Sequence, residues 1–479
     1  MRSWIAVVLL LVACRGQNKE PTKEGSAGAG SAAGSAVATG SGSAGSADPW
    51  QAKEAPPPTP EEKKKRAEAA IGRVADIQTK LSKLRGLPMP KPVPAELQST
   101  ADFRKFVQRE LEKELPKEKA EKLQIALLHI GLYTKAIDLP KVLEQTMTSQ
   151  AAAYYDPAAK KFFVVMAPDD DTMFDTISAH ELTHALQDHN FNLINFMPPT
   201  LDDDAGIARR FVVEGDATFS MIAYLATDAK GADALPMMIK LIGSQIESMA
   251  NMSVSDYAEM MGQQAAAFSG MDEDMKRSML TIGELPPVIV GPMIDSYMKG
   301  AIVSMRAFEA GGWKAIDALY TKPPTSTEQV LHPSTKLIGK REEPKTVTLP
   351  KLPGTELTQN VMGELQYAIY LQQWNVNQPD AAAGWGGDRY AVMKDNDRVI
   401  GYLATSWDSE KDAKEFAAGY LESLKARFPT ADTSKPDAGV ARTDKGKIFV
   451  RRVGSNVFIV DGADDVKALD TLAKGTKVK

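Results

Sequence analysis

The residues able to do chemistry gather in Ser178-Ala179-His180-Glu181-Leu182-Thr183-His184-Ala185-Leu186-Gln187-Asp188, which contains a His-Glu-x-x-His pattern. The whole chain holds five histidines, and two of them stand here four residues apart. On a helix, residues at i and i+4 share one face, so both imidazoles can bind a single zinc ion. Glu181 would then face water at that ion as its general base. The competing reading is a helix whose histidines are merely packed or solvated. A catalytic zinc takes three protein ligands and keeps a position open, so a third donor is required. Asp188, one turn after His184, can ligate or orient. Glu214 is the better candidate, because three apolar residues, Phe211, Val212 and Val213, precede it. A carboxylate in such a setting is costly unless paired or metal-bound. The alternative for Glu214 is an ion pair with Arg209, Arg210 or a lysine. Asp216 or Asp188 can orient a ligand histidine by a hydrogen bond.

These residues need two long elements to bring them together. Asp169, Asp170 and Asp171 offer N-caps for a helix running to about His189. Phe174, Ile177, Leu182 and Leu186 make that helix apolar on more than one side, so it is expected to be buried. Ahead of it, Ala153 to Met166 reads as two short strands around an Asp156-Pro157 turn. That hairpin sets a strand edge beside the metal, where a peptide can add as a further strand. Glu214 belongs on a second long helix, and the small Gly215 and Ala217 would let it approach the first closely. Asn192 to Asp204 must then form a loop. Upstream, Glu61 to Leu84 reads as a charged helix with Ile71, Val74, Ile77, Leu81 and Leu84 on one stripe. Gly86 to Pro94 is Pro-rich and extended, and helices are expected over Thr100–Leu115 and from Lys117 to about Ala136. Helices rich in methionine follow between Gly231 and Leu285, either as core or as an adaptable lid. Thr325 and Glu328 read as a capping box.

His-Glu-x-x-His followed by Glu214-Gly215-Asp216-Ala217 resembles the gluzincins, zinc peptidases of the thermolysin and aminopeptidase N kind. The resemblance implies a zincin-like catalytic domain with one zinc ion. It implies His180, His184 and Glu214 as ligands and Glu181 as base. The metzincin pattern does not fit: it needs glycine and histidine at the third and sixth positions after His184, where Gln187 and Asn190 stand, and His189 falls at the fifth. Ser296-Tyr297-Met298-Lys299-Gly300 is similar to the Tyr-x-Lys-Gly segment of aminopeptidase N relatives. It implies Tyr297 as a donor to the developing oxyanion, against a plain helix-interface tyrosine. His332, before Pro333, would be a second such donor by the same comparison with thermolysin-like enzymes, or a structural histidine. The glycine-led acidic motif that binds a substrate's free amine in aminopeptidase N relatives is absent from Tyr154 to Asp171, which favours endopeptidase action.

The chain of 479 residues is 43% hydrophobic and 25% charged, an ordinary globular balance. A net charge of −5 and a pI near 5.8 give no basic footprint for nucleic acid. Residues 1–14 read as a signal peptide: Arg2, an apolar run from Trp4 to Ala13, then Leu11-Val12-Ala13-Cys14, which resembles the bacterial lipobox. Cys14, the single cysteine of the chain, would carry a lipid and anchor the protein to a membrane of the bacterial cell envelope. Residues 15–60 are a linker, with Gly25 to Asp48 a Gly/Ser/Ala coil spanning about 25–30 Å root-mean-square. Residues 61–345 are expected to form the metallopeptidase domain. Residues 346–479 are expected to form an α+β unit on an antiparallel sheet. There Thr346–Leu349 reads as a strand, Thr358–Trp374 as a helix and Gly384 to Arg389 as a tight loop. The fold class is therefore α+β. The function expected is a membrane-anchored zinc endopeptidase acting on proteins or peptides, the alternative being an inactive envelope binding lipoprotein on the same scaffold.

Overall fold

Helix α1 (Pro60–Arg85) opens with a reciprocal capping box between Thr59 and Glu62 and stops at Gly86, whose φ of 66° ends it in the left-handed region. This computed structural model describes residues 59–150, 152–165, 171–231, 235–252, 256, 259–260, 285–376, 378–441 and 446–479. Cys14, the leader, nearly all of the linker, Asp169, Asp170 and much of the methionine-rich stretch lie outside the described residues. The predicted stripe on α1 is real: Val74, Ile77 and Leu81 are buried against Phe174, Ile177, Leu182 and Ala185.

A strand the sequence reading did not anticipate, β1 (Ala95–Leu97), follows the Pro-rich segment. It pairs in parallel with β3 (Lys161–Val164), which pairs antiparallel with β2 (Ala153–Asp156), giving the order β1-β3-β2. Asp156 closes the hairpin by accepting from the Ala158 and Ala159 N–H groups. β2 is thus an edge strand. Helices α2 (Thr100–Glu114), α3 (Lys117–His129) and α4 (Leu139–Gln150) come between β1 and β2. α3 ends well before the expected Ala136, because Gly131 at φ 80° turns the chain and offers its carbonyl to Gln373 and Trp374 of the C-terminal unit. α4 was not foreseen.

Helix α5 (Asp171–Phe191) carries His180, Glu181 and His184 and is buried continuously from Ile177 to Asp188. A short turn, α6 (Leu193–Phe196), starts from Asn192 in the left-handed region and leads to α7 (Asp203–Lys230), capped by Asp202. α8 (Leu235–Ala250) follows, with Met237 exposed and Met249 packed on the core. α9 (Pro287–Gly311), α10 (Trp313–Thr321) and α11 (Thr327–Leu331) complete the helical part. The cap of α11 is Ser326, not Thr325: Ser326 Oγ accepts from Gln329 N–H, and Gln329 Oε1 accepts from Thr325 N–H.

The C-terminal part is a six-stranded antiparallel sheet in the order β5-β6-β7-β10-β9-β8. Its strands are β5 (Thr355–Asn360), β6 (Trp385–Asp395), β7 (Arg398–Trp407), β8 (Val440–Ala441), β9 (Lys447–Val453) and β10 (Asn456–Ala463). Between them lie α12 (Gly363–Gln373) and α13 (Glu410–Arg427), and α14 (Lys467–Gly475) follows. β4 (Val347–Thr348) pairs with β11 (Lys477–Val478), tying the end of the chain to the start of this unit. Two expectations are corrected here. Thr358 to Asn360 is strand, and the helix begins only at Gly363. Gly384 to Arg389 is not a free loop: Trp385 onward is strand β6, bulged between Trp385 and Gly387. Asp388 reaches back to accept from Met362 and Gly363 N–H, so it caps α12. The architecture is α+β, and one core cluster runs from Phe103 through Phe211 and Tyr297 to Ile459 across both units. Among the described residues, no helix is long and apolar enough to cross a membrane.

Candidate metal centre

α5, α7 and α9 meet at the histidines. The i, i+4 spacing brings His184 Nε2 to 3.2 Å from His180 Nε2. Glu214 on α7 places its Oε2 3.3 Å from His180 Nε2 and 3.5 Å from His184 Nε2. All three side chains are buried. Glu181 belongs to the same group, with ligand atoms of His180, Glu181 and His184 all within 4.8 Å of one another. Its Oε2 accepts from the Tyr155 N–H of edge strand β2 at 3.0 Å. Its Oε1 is buried with no hydrogen-bond partner. Three lone pairs therefore converge while a carboxylate oxygen beside them stays unsatisfied. A buried carboxylate oxygen left this way is costly, and the group can hold a metal ion with Glu181 facing what that ion binds.

The charges of the metal-free group follow from burial and pairing. Burial alone would lower both imidazoles. His180 is indeed lowered, whereas the Glu214 carboxylate outweighs burial at His184 and raises it to about 9. Burial disfavours the Glu214 anion, but its bonds to His180 and His184 hold it well below the usual carboxylate range. Burial, with Glu214 nearby, pushes Glu181 up to about 8 against His184 and the Tyr155 amide. The Tyr297 phenol is raised well above its ordinary value by burial and then by Glu214 and Glu181, so it remains an O–H donor.

Glycine makes the convergence of α7 and α9 possible. A β-carbon on Gly215 would overlap the Gly300 carbonyl, and one on Gly300 would lie 2.6 Å from Phe211 O. Gly215 was expected to admit α5; it admits α9 instead. That crossing stacks the Tyr297 ring on His180 with centroids 5.6 Å apart and brings its hydroxyl under the influence of the Glu214 charge.

The orienting residues differ from those expected. No hydrogen bond joins Asp188 or Asp216 to His180 or His184. Gln187 does: its Oε1 lies 2.9 Å from His184 Nδ1, and its Nε2 donates to Val213 O and Asp216 Oδ2. Asp216 in turn accepts from Arg85, Tyr320 and Ser220. Arg85, fully buried, also pairs with Asp317 and lies over Trp313. Asp188 is not a ligand: it accepts from the Tyr155 hydroxyl, Lys160 and Leu193 N–H. The i+3 spacing of Gln187 from His184 was a readable signal; nothing in the sequence marked Arg85 or the Tyr155 amide.

His332 is not brought to this group. Its Nε2 lies 2.8 Å from Glu364 Oε1, and that bond, with the Glu364 and Glu328 charges, raises its pKa against burial and Lys336. α11 docks on the first turn of α7, where Asp204 accepts from Thr327. Ten residues of helix, about 15 Å, separate Asp204 from Glu214.

The model of one protein family, described as a domain of unknown function (DUF8575), matches residues 350–473. That span is the C-terminal sheet with α12, α13 and most of α14, and it excludes His180, Glu181, His184 and Glu214. No curated protein and no solved structure matches the chain.

Proposed function

We propose that this chain is a zinc-dependent endopeptidase with a zincin-like, gluzincin-type site: His180, His184 and Glu214 hold one zinc ion and Glu181 is the general base. The observation that carries the reading is the set of 3.2, 3.3 and 3.5 Å separations among the three ligand atoms, beside an unpartnered Glu181 Oε1. Ligands at 2.0–2.1 Å around a tetrahedral zinc stand about 3.3–3.4 Å apart, so the donor set fits that ion. Bound there, zinc would supply a Lewis acid that acidifies water and polarises a carbonyl. Glu181 takes the proton of the attacking water and passes it to the leaving amine. The Tyr155 amide fixes one carboxylate oxygen so that the other points into the site. Tyr297 donates to the developing oxyanion. An extended peptide adding at β2 has to displace what covers it, because Ala153, Tyr154 and Tyr155 are buried and the Tyr155 amide is taken by Glu181. The lipobox-like Cys14 would tether this activity to a membrane of the cell envelope.

The test is zinc content and peptide hydrolysis of the wild-type chain and Glu181→Gln. Both should carry one zinc per chain, and the variant should lose about 10²–10⁴-fold in kcat. Equal cleavage by both, or no cleavage of a broad peptide library by the zinc-loaded wild type, ends the reading.

A further inference from the structure

The Gln187 amide has a fixed sense. Its Nε2 donates to two groups that only accept, Val213 O at 3.0 Å and Asp216 Oδ2 at 3.1 Å, so its Oε1 is the atom turned to His184 Nδ1, 2.9 Å away. An oxygen there makes Nδ1 the N–H of the ring. Nε2, which faces His180 and Glu214, is then the nitrogen left for an ion. With the amide reversed, its NH₂ would meet Nδ1 and the ring proton would move to Nε2, closing that position to a metal. Reversal would also set Oε1 against the Asp216 carboxylate, oxygen to oxygen, so Asp216 holds the amide in its sense.

Asp216 is fully buried, and a carboxylate in that position is costly unless paired. Four donors reach it: Gln187, the Tyr320 hydroxyl at 2.9 Å, the Ser220 hydroxyl at 3.1 Å and Arg85 Nη2 at 3.1 Å from each oxygen. Of the four, Arg85 alone carries a charge. Its guanidinium is itself shut away from solvent, lies 4.4 Å over the Trp313 ring and turns the same nitrogen to Asp317 Oδ1 at 2.9 Å. Its Nε and Nη1 have no hydrogen-bond partner among the described residues. Burying two unused donors is destabilising, and an apolar side chain would fill a purely packing role better. What an apolar side chain cannot supply is the cation opposite Asp216.

We propose that Arg85 is a positioning residue of the metal centre: through Asp216 and Gln187 it holds His184 with Nε2 free for the ion. Arg85 is the last residue of α1, which Gly86 ends, so the first described helix contributes to the centre through its final side chain. The proposal rests on His180, His184 and Glu214 as zinc ligands.

Zinc affinity of the full-length chain, measured by competition with a chelating dye, tests the relay. Arg85→Met keeps an apolar stem, removes the charge and should lower affinity about tenfold, at the lower end for outer partners. Arg85→Lys keeps the charge and should recover most of that loss. In a Gln187→Leu background Arg85→Met should cost no further affinity, although it lowers Tm in both backgrounds. A packing role predicts the same affinity loss with and without Gln187. Asp216→Asn keeps the side chain's shape, should behave as Arg85→Met does, and decides the matter if Arg85→Met does not fold. Unchanged affinity in these variants, an equal further loss in the Gln187→Leu background, or no recovery with lysine overturns the positioning role and leaves the zinc site standing. A wild-type chain that takes up no zinc overturns the ligand set itself.

Discussion

Among the described residues, histidine meets glutamate in two places, His180 and His184 with Glu214 and His332 with Glu364, and the carboxylate raises the His184 and His332 pKa. Their surroundings differ. Around His184 a second imidazole stands 3.2 Å away, and Glu214 Oε2 is shared between the two rings. Around His332 the ring is 39% exposed, and its neighbours are Glu328 and the Lys336 ammonium, which bonds Glu328 and Asp408. A fixed cation beside an imidazole opposes a metal ion, and a single carboxylate partner gives it two ligands at most. The residue types are the same in both places. Convergence of three donor atoms from His180, His184 and Glu214 distinguishes the candidate site from an interface ion pair.

The comparison can be broken most directly by deleting the carboxylates. Glu214→Ala should lower zinc affinity by at least about a hundredfold, since a ligand should matter no less than the outer partners whose loss costs 10–100-fold. Glu364→Gln should leave zinc content unchanged; equal losses in a competition titration with a chelating dye would erase the distinction. Next comes pH. His184 is protonated below about 9 in the metal-free group, and an ion must displace that proton. Apparent zinc affinity should therefore rise about tenfold per pH unit towards pH 9 and then level, as followed by dye competition between pH 6 and 9.5. A flat profile would mean that no shared proton stands between His184 and Glu214. Gln187→Leu removes the acceptor for His184 Nδ1 and should cost about tenfold in zinc affinity, at the lower end of the effect of such partners. Full affinity in that variant would show that Asp216 and Gln187 only pack. The smallest effect on zinc binding is expected from Gly300→Ala. The new methyl meets Phe211 O at 2.6 Å, so thermal unfolding should show a loss of about 1–3 kcal/mol, with zinc content retained and kcat reduced as Tyr297 shifts off His180.

Much of the site was legible because it is local. His180, Glu181 and His184 sit in one helix, and helical geometry alone brings the imidazoles together. The Asp156 hairpin is equally local and was read from a few adjacent residues; the Thr59–Glu62 box and Gly86 stop of α1 are local too and were not read. Gln187 was within reach by the same rule and was passed over for the acids. The errors fell where a helix pattern yields to a partner far along the chain. α3 stops at His129 because Gly131 takes bonds from Gln373 and Trp374. Thr358 joined a strand because β6 pairs with it.

The sequence by itself determined the α+β class, His180, Glu181 and His184 on a buried helix, and Glu214 as a carboxylate needing a partner. Tertiary structure alone decided that Glu214 reaches both rings, that Tyr297 stacks on His180 and that His332 belongs to another cluster. The reason is range. Spacing along a helix is set by backbone hydrogen bonds within a turn, whereas the α7–α9 crossing depends on Gly215 meeting Gly300, 85 residues apart in the chain.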